Sequence, residues 1–180
     1  MPRISALEDA EASAEAQTIF SAIKGKIGMV PNLYRTTGHN PAVLSALIGL
    51  GDALGKGRFS AKDREAVALA VAQTNACDYC ASAHTAISGS LKVAAAEVEA
   101  HRRGESADPR LNAILKLAKA VTEKMGNLDD TDLATARSAG LSDSDIIETI
   151  AVVVSNIFTN YLNHAFGTDI DFPVVRTRAA

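Results

Sequence analysis

Both cysteines of the chain fall in one C-x-x-C, Cys77-Asp78-Tyr79-Cys80, and His84 follows one helical turn later. With 3.6 residues per turn, helical positions i, i+3 and i+7 share a face, so Cys77, Cys80 and His84 are expected to project together. The nucleophile of dithiol chemistry is the thiolate, and an adjacent proton carrier favours it. These residue types at this spacing are those of a redox site. Cys77 lies nearer the expected helix start, whose free N–H groups favour negative charge. Cys80 is i,i+4 from His84, so those two side chains meet. On these grounds either sulfur fits the attacking role.

Glu65 lies twelve residues before Cys77. On one unbroken helix the two would stand about 18 Å apart. A reversal at Thr74-Asn75 would instead bring position 65 level with about position 85, beside His84. There the carboxylate would fix the imidazole tautomer and raise its basicity, the orienting part that a third group plays beside a nucleophile and its base. The competing reading is a solvated first-turn acid paired with Lys62 or Arg64. Cys77, Cys80, His84 and Glu65 also make a formal four-ligand zinc set. Three zinc ligands from one helix depart from the usual pattern of two loops or knuckles. Haem attachment needs histidine directly after the second cysteine, where this chain has Ala81. His39, His101 and His164 show no metal-ligand spacing and read as solvated or satisfied residues. The glycines from 49 to 57 lack the strand-to-helix context of a nucleotide loop.

The elements that must hold these residues are marked by clear punctuation. Ser5-Ala6-Leu7-Glu8 reads as a capping box opening a helix to about Lys24, ended by Gly25 and Gly28. Pro31 is expected to keep the next segment extended. Asn40-Pro41 starts a helix with an apolar stripe at Val43, Leu44, Leu47, Leu50 and Leu54. Ser60 to Asp63 opens the next, and Asn75 is the expected N-cap of the motif helix, which runs to about Gly89. Further helices are expected near Val93–His101, from Asp108-Pro109, over Thr131–Ala139, and from Ser142 to about Phe166. The run Ile150 to Val154 is strand-like in composition, but the cap before it and the length of the segment favour helix. That makes about eight helices, no strand, and an extended tail after Gly167.

Bulk composition fits this frame. A length of 180 residues suits one domain with a sizeable core. Thirty-three alanines against eight aromatics favour closely packed helices, because alanine loses no side-chain entropy and lets backbones approach. The net charge of −3 gives no electrostatic footprint for nucleic acid. No stretch approaches the roughly 18 apolar residues of a membrane span, and the N-terminus lacks a secretory h-region. The expected compartment is the cytoplasm, where a C-x-x-C is more often catalytic or metal-binding than structural.

At these residues the chain resembles the alkylhydroperoxidase D-like (AhpD-like) family of the carboxymuconolactone decarboxylase superfamily. The pattern Glu-x11-Cys-x-x-Cys-x-x-x-His is met by Glu65, Cys77, Cys80 and His84, and Val30-Pro31-Asn32-Leu33 leading into Asn40-Pro41 is also similar. The resemblance implies an all-α, single-domain AhpD-like bundle over 1–180. It would comprise N-terminal helices over 1–57, a CxxC hairpin over 60–89, further helices over 93–166 and the tail over 167–180. It also implies a cysteine-based peroxidase or disulfide reductase without a prosthetic group. Carried over, Cys80 would be the peroxidatic thiolate, Cys77 the proton donor and resolving thiol, and His84 with Glu65 the proton relay. The expected partners are a hydroperoxide, a dithiol or thioredoxin-like electron donor, and further copies of the chain in a trimer or hexamer. The alternative is a non-enzymatic redox-sensing or zinc-binding oligomer. Tyr79 departs from the family, whose well-studied members carry a histidine there. Tyrosine hydrogen-bonds but does not shuttle protons near neutral pH at a pKa of about 10, so disulfide exchange stands open beside peroxide turnover. Decarboxylase members lack the cysteine pair, which speaks against lactone decarboxylation.

Overall fold

The computed structural model describes residues 1–177 and is all-helical there. Its nine helices are α1 (Ala14–Ile27), α2 (Asn32–Thr37), α3 (Pro41–Leu54), α4 (Ala61–Thr74), α5 (Asp78–Ser90), α6 (Ala95–Arg102), α7 (Pro109–Glu123), α8 (Asp130–Ser138) and α9 (Asp143–Phe166). Helix α4 is the buried axis. Every residue from Ala66 to Ala72 is at most 2% exposed, and α5, α6, α7 and α9 pack around it. Four alanines in that stretch are what let so many backbones approach one helix. Ile114, Leu115, Ala118 and Val121 of α7 and Ile146, Val152 and Val153 of α9 complete the main core with Phe59 and Leu141. A second cluster joins α1 and α3 through Phe20, Ile23, Leu44 and Val30.

Three expectations are corrected. Ser5 does not cap a helix; α1 starts at Ala14, with Ser13 as its cap. Residues 7–12 find other partners. Arg35 donates to the Leu7 carbonyl at 2.9 Å, and the Gln17 amide donates to the carbonyls of Asp9 and Ala12. Pro31 does not impose an extended segment either. Its fixed φ of −55° suits the position just before a helix, and the short α2 follows, which accounts for the ninth element. Asn75 is the C-cap of α4 rather than the N-cap of α5; that place is taken by Cys77. The remaining helix starts at Asn40, Ser60, Asp108 and Ser142 carry the expected side-chain caps. The tail over 167–177 forms no regular element and bends at residues 172 and 173, and residues 178–180 lie outside the described part.

Helix α9 is anchored near its N-terminus. Glu148 accepts the amides of Arg58 and Phe59 at 2.9 Å each, fixing the loop that leads into α4. Gly57 leaves space for that clamp, because a Cβ there would collide with the Glu148 carboxylate. Asp145, 4% exposed, closes a reciprocal box with Ser142 and takes Arg110 at 2.7 Å. The Ser142 hydrogen bonds, reinforced by Arg110 against the opposing effect of burial, lower the Asp145 carboxyl to about 2. Its pKa is depressed on folding, so its stabilisation is present above the unfolded value of about 3.9 and is lost as pH falls toward 2. We expect Asp145→Asn to lower stability at pH 7 by about 2 kcal/mol. Urea unfolding should show that deficit shrinking between pH 4 and pH 2.

Candidate active site

The chain reverses between α4 and α5 in three residues, Asn75 to Cys77. Ala76 adopts φ +54°, the Ala76 amide donates to the Gln73 carbonyl at 3.2 Å, and the Cys77 amide donates to the Ala72 carbonyl at 2.9 Å. This is the Schellman pattern, here with alanine at a position that usually takes glycine. The reversal lays α5 back along α4. His84 Nδ1 and Glu65 Oε2 then stand 2.7 Å apart, with side chains 20% and 18% exposed. Lys62 and Arg64 are not the partners of Glu65.

The two sulfurs are not equivalent. Cys77 sits in extended conformation at the N-cap, outside the helix proper, while Cys80 occupies its first turn. The expected common face therefore holds for Cys80 and His84, and Cys77 lies behind them. A cleft of about 790 Å³ opens onto Cys80, His84 and Glu65 but not onto Cys77. Its walls include Leu33, Tyr34, Leu47, Ile87 and Val152, and Asn156 and Thr159 supply polar groups. Both cysteines are free and buried.

The electrostatics favour charge on Cys80. The hydrogen bond from the Cys77 thiol lowers Cys80 most. Burial opposes that effect, and His84, Asn163 and Asn160 reinforce it, leaving Cys80 at about 6. Donating that bond, together with burial and the Cys80 charge, drives Cys77 far up. Burial works against a charged His84, but the Glu65 charge and hydrogen bond outweigh it and raise the imidazole. The arrangement favours the thiolate on Cys80 and the imidazolium form of His84, with Cys77 held as the protonated thiol. Cys80 also receives the Asn163 amide at 3.2 Å and has Thr159 Oγ1 at 4.0 Å.

Tyr79 is a brace. It is 5% exposed, its hydroxyl accepts the Leu33 amide at 3.1 Å, and its ring meets Phe172 edge-on at 5.8 Å. Burial raises its phenol well above the ordinary value, so it titrates far from neutral pH. The tail runs across this end of α5 and covers it. The Ser82 hydroxyl accepts the Val175 amide at 2.9 Å, Thr177 bonds Asp78 through both its amide and its hydroxyl, and Arg176 pairs with Asp78 at 2.9 Å. Ile170, Phe172 and Val175 pack on the cluster that contains both sulfurs.

His39 and His164 are exposed, as expected, and His101 is not: it is 6% exposed on α6, where burial lowers its pKa. Among the described residues no three His, Cys, Asp or Glu side chains converge in a way that could hold a metal ion. The zinc reading therefore finds no ligand cluster. No described helix is long and apolar enough to cross a membrane. Nothing near the motif marked Asn160, Asn163 or the tail, which reach the site from far along the chain. The one available sign was the polar series Asn156, Thr159, Asn160 and Asn163, recurring at helical spacing in the second half of α9.

The fold and this pair of sulfurs at a helix start define an AhpD-like helical protein. The sequence pattern of the carboxymuconolactone decarboxylase family matches residues 41–123, the stretch that holds Glu65, both cysteines and His84. The fold is similar to that of the alkylhydroperoxidase AhpD core of a peroxidase-related protein from Ralstonia eutropha, at TM-score 0.84 and 23% identity over 94% of this chain and 92% of that one. A peroxidase-related protein from a Silicibacter species gives 0.80 and 28% over 92% and 91%. The debrominase Bmp8, in a complex with 2,3,4-tribromopyrrole, gives 0.79 and 22% over 93% and 91%. No curated protein matches the chain.

The alkylation profile of Cys80 tests the ion pair. Site-resolved mass spectrometry should find its reaction with iodoacetamide half-maximal near pH 6. In His84→Gln the midpoint should move toward the ordinary thiol value of about 8.5. An unchanged profile would remove His84 from the chemistry.

Proposed function

We propose that the protein is a thiol-dependent oxidoreductase that reduces hydroperoxides through Cys80. What supports this reading is that Cys80 alone of the two sulfurs lines the cleft, with its thiolate favoured and a protonated thiol bonded behind it. The Cys80 thiolate attacks the hydroxyl oxygen of the hydroperoxide. The S–O bond forms, the O–O bond breaks, and the leaving alkoxide takes a proton from the His84 imidazolium, which Glu65 holds in place. Cys77 then attacks the Cys80 sulfenic acid. The S–S bond forms, and the oxygen leaves as water with the Cys77 proton. A dithiol or thioredoxin-like donor reduces the resulting disulfide by exchange and is itself oxidised. Roles follow from this: Cys80 is the nucleophile, Cys77 the resolving thiol, and His84 with Glu65 the proton relay. Tyr79 takes no part in proton transfer, which separates this site from family members with histidine there.

A second reading is reductive dehalogenation, favoured by the likeness to Bmp8 and by the large apolar walls of the cleft. The same thiolate would take the halogen from an electron-rich ring. The ring carbon would take the proton, and Cys77 would displace halide to give the same disulfide.

We further propose a single domain working as a homo-oligomer, a trimer or hexamer, in the reducing cytoplasm. Ile147, Val154 and Tyr161 recur every seven residues along α9, and each is more than half exposed. Such a stripe suits a second copy of the chain. Sedimentation should give an oligomer that Val154→Glu dissociates; a monomeric wild type would sink that part.

Turnover decides the activity. Consumption of an alkyl hydroperoxide with a dithiol reductant should vanish in Cys80→Ser and fall at least tenfold in Cys77→Ser. Equal rates in wild type and Cys80→Ser would end the peroxidase reading. Bromide release from a bromopyrrole, with no peroxide consumption, would replace it with the second.

A further inference from the structure

Helix α9 changes character where it passes the sulfurs. Its buried side begins with Asp145, Ile146, Thr149, Val152 and Val153 and ends in two amides, with Asn160 wholly buried and Asn163 4% exposed. A buried amide is costly unless its donors and acceptor are paired. Asn163 Nδ2 donates to Cys80 Sγ at 3.2 Å, but Asn163 Oδ1 has no partner. Asn160 shows the converse. Its Oδ1 accepts from Asn75 Nδ2 at 2.8 Å, and its own Nδ2 has no partner. Asn160 also lies close enough to Cys80 to favour the thiolate, although it falls outside hydrogen-bond geometry. One vacant donor and one vacant acceptor thus lie three residues apart on the helix face turned toward one sulfur.

A thiolate only accepts, so it satisfies Asn163 Nδ2 and leaves Oδ1 empty. A sulfenic acid has an oxygen that accepts and a hydrogen that donates. Those are the two capacities the vacant atoms lack.

We infer that Asn163 and Asn160 are catalytic residues of this site, Asn163 holding the Cys80 thiolate and the two amides together receiving the oxygen of the Cys80 sulfenic acid. This rests on the reading of Cys80 as the sulfur that attacks the hydroperoxide, which supplies that oxygen as the O–O bond breaks. Asn75, the residue that ends α4, orients Asn160 and so ties the amide pair to the chain reversal. Cys77 adjoins Cys80 from the cap of α5, and the amides reach it from α9. The oxygen is therefore held on one side while the resolving thiol approaches from another. Retention there also keeps the sulfenic acid from a second equivalent of peroxide, the step that gives sulfinic acid.

The amides act without titrating. The titratable groups around Cys80 are Cys77, Tyr79 and His84 on α5, Glu65 on α4 behind His84, and Tyr34 on α2, with Asp171 of the tail beside Tyr79. Among the described residues α9 brings only Asn160, Asn163 and the Thr159 hydroxyl to the sulfur. Their stabilisation of the thiolate is accordingly the same at every pH, unlike that of His84.

Two variants test this. In Asn163→Leu, site-resolved alkylation of Cys80 at pH 6.5 should slow roughly tenfold and its midpoint should rise, the size expected for one lost hydrogen bond to a charged group. The limiting rate at high pH should stay the same, which a general packing defect would not predict. In a Cys77→Ser background, where the sulfenic acid persists, Asn160→Leu should speed its conversion to sulfinic acid under excess cumene hydroperoxide severalfold, read by dimedone trapping and mass spectrometry. Asn163→Ala stands in if the leucine variant fails to fold, and if neither folds the Asn160→Leu measurement decides. A wild-type midpoint in a folded Asn163 variant, or an unchanged sulfinic rate in Asn160→Leu, overturns the corresponding half. If Cys77 is alkylated first, or no Cys80 sulfenic acid forms, the peroxidase reading itself falls. If Cys80 reacts first and the variants match wild type, only the part given to the amides falls.

Discussion

The three-residue turn after α4 is the constraint from which the site follows. By placing Ala76 at positive φ and closing its amides back onto α4, the chain reverses without a loop. Glu65 and His84 then meet across an antiparallel helix pair, and Cys77 is left as the cap of α5 with Cys80 one turn inside. A longer or looser connection would let α5 slide along α4 and separate the acid from the imidazole. The alanine-rich axis of α4 serves the same end, since close backbone approach is what keeps a 2.7 Å contact between two helices in register.

The charge states in the site come from a contest between burial and specific partners. Burial alone would neutralise both Cys80 and His84. His101 shows that outcome: it is buried, it has Glu97 and Asp63 within electrostatic reach but no carboxylate hydrogen bond among the described residues, and its pKa falls. His84 has a direct carboxylate bond, and its pKa rises. The difference between a histidine whose pKa falls and one whose pKa rises on this scaffold is therefore one short contact, supplied by a residue nineteen positions earlier in the chain.

Much of this was legible in the sequence because the deciding signals are local. Caps at Asn40, Ser60, Asp108 and Ser142 set four helix starts, and the all-helical class followed from them and from the alanine content. The Glu65–His84 meeting needed only the guess that the chain turns near residue 75. The errors have local causes too. Ser5 has the residues of a capping box, but the carbonyls behind it bond Arg35 and Gln17 side chains that only the tertiary fold delivers. Asn75 suits either end of a helix, and the αL residue after it, Ala76, carries no glycine to announce the turn. Cys77 was expected on the helix face because the start of α5 was placed two residues too early. Asn163 and the tail lie beyond local reading altogether, because their contacts with Cys80, Asp78 and Ser82 span some eighty to a hundred residues.

The tail has a consequence for how the molecule is made. Residues 170–177 seal the end of α5 that carries both sulfurs and are bonded to Asp78 and Ser82, yet they leave the ribosome after every helix they brace. The end of α5 that holds the sulfurs is therefore completed only once α9 and these residues have both been made.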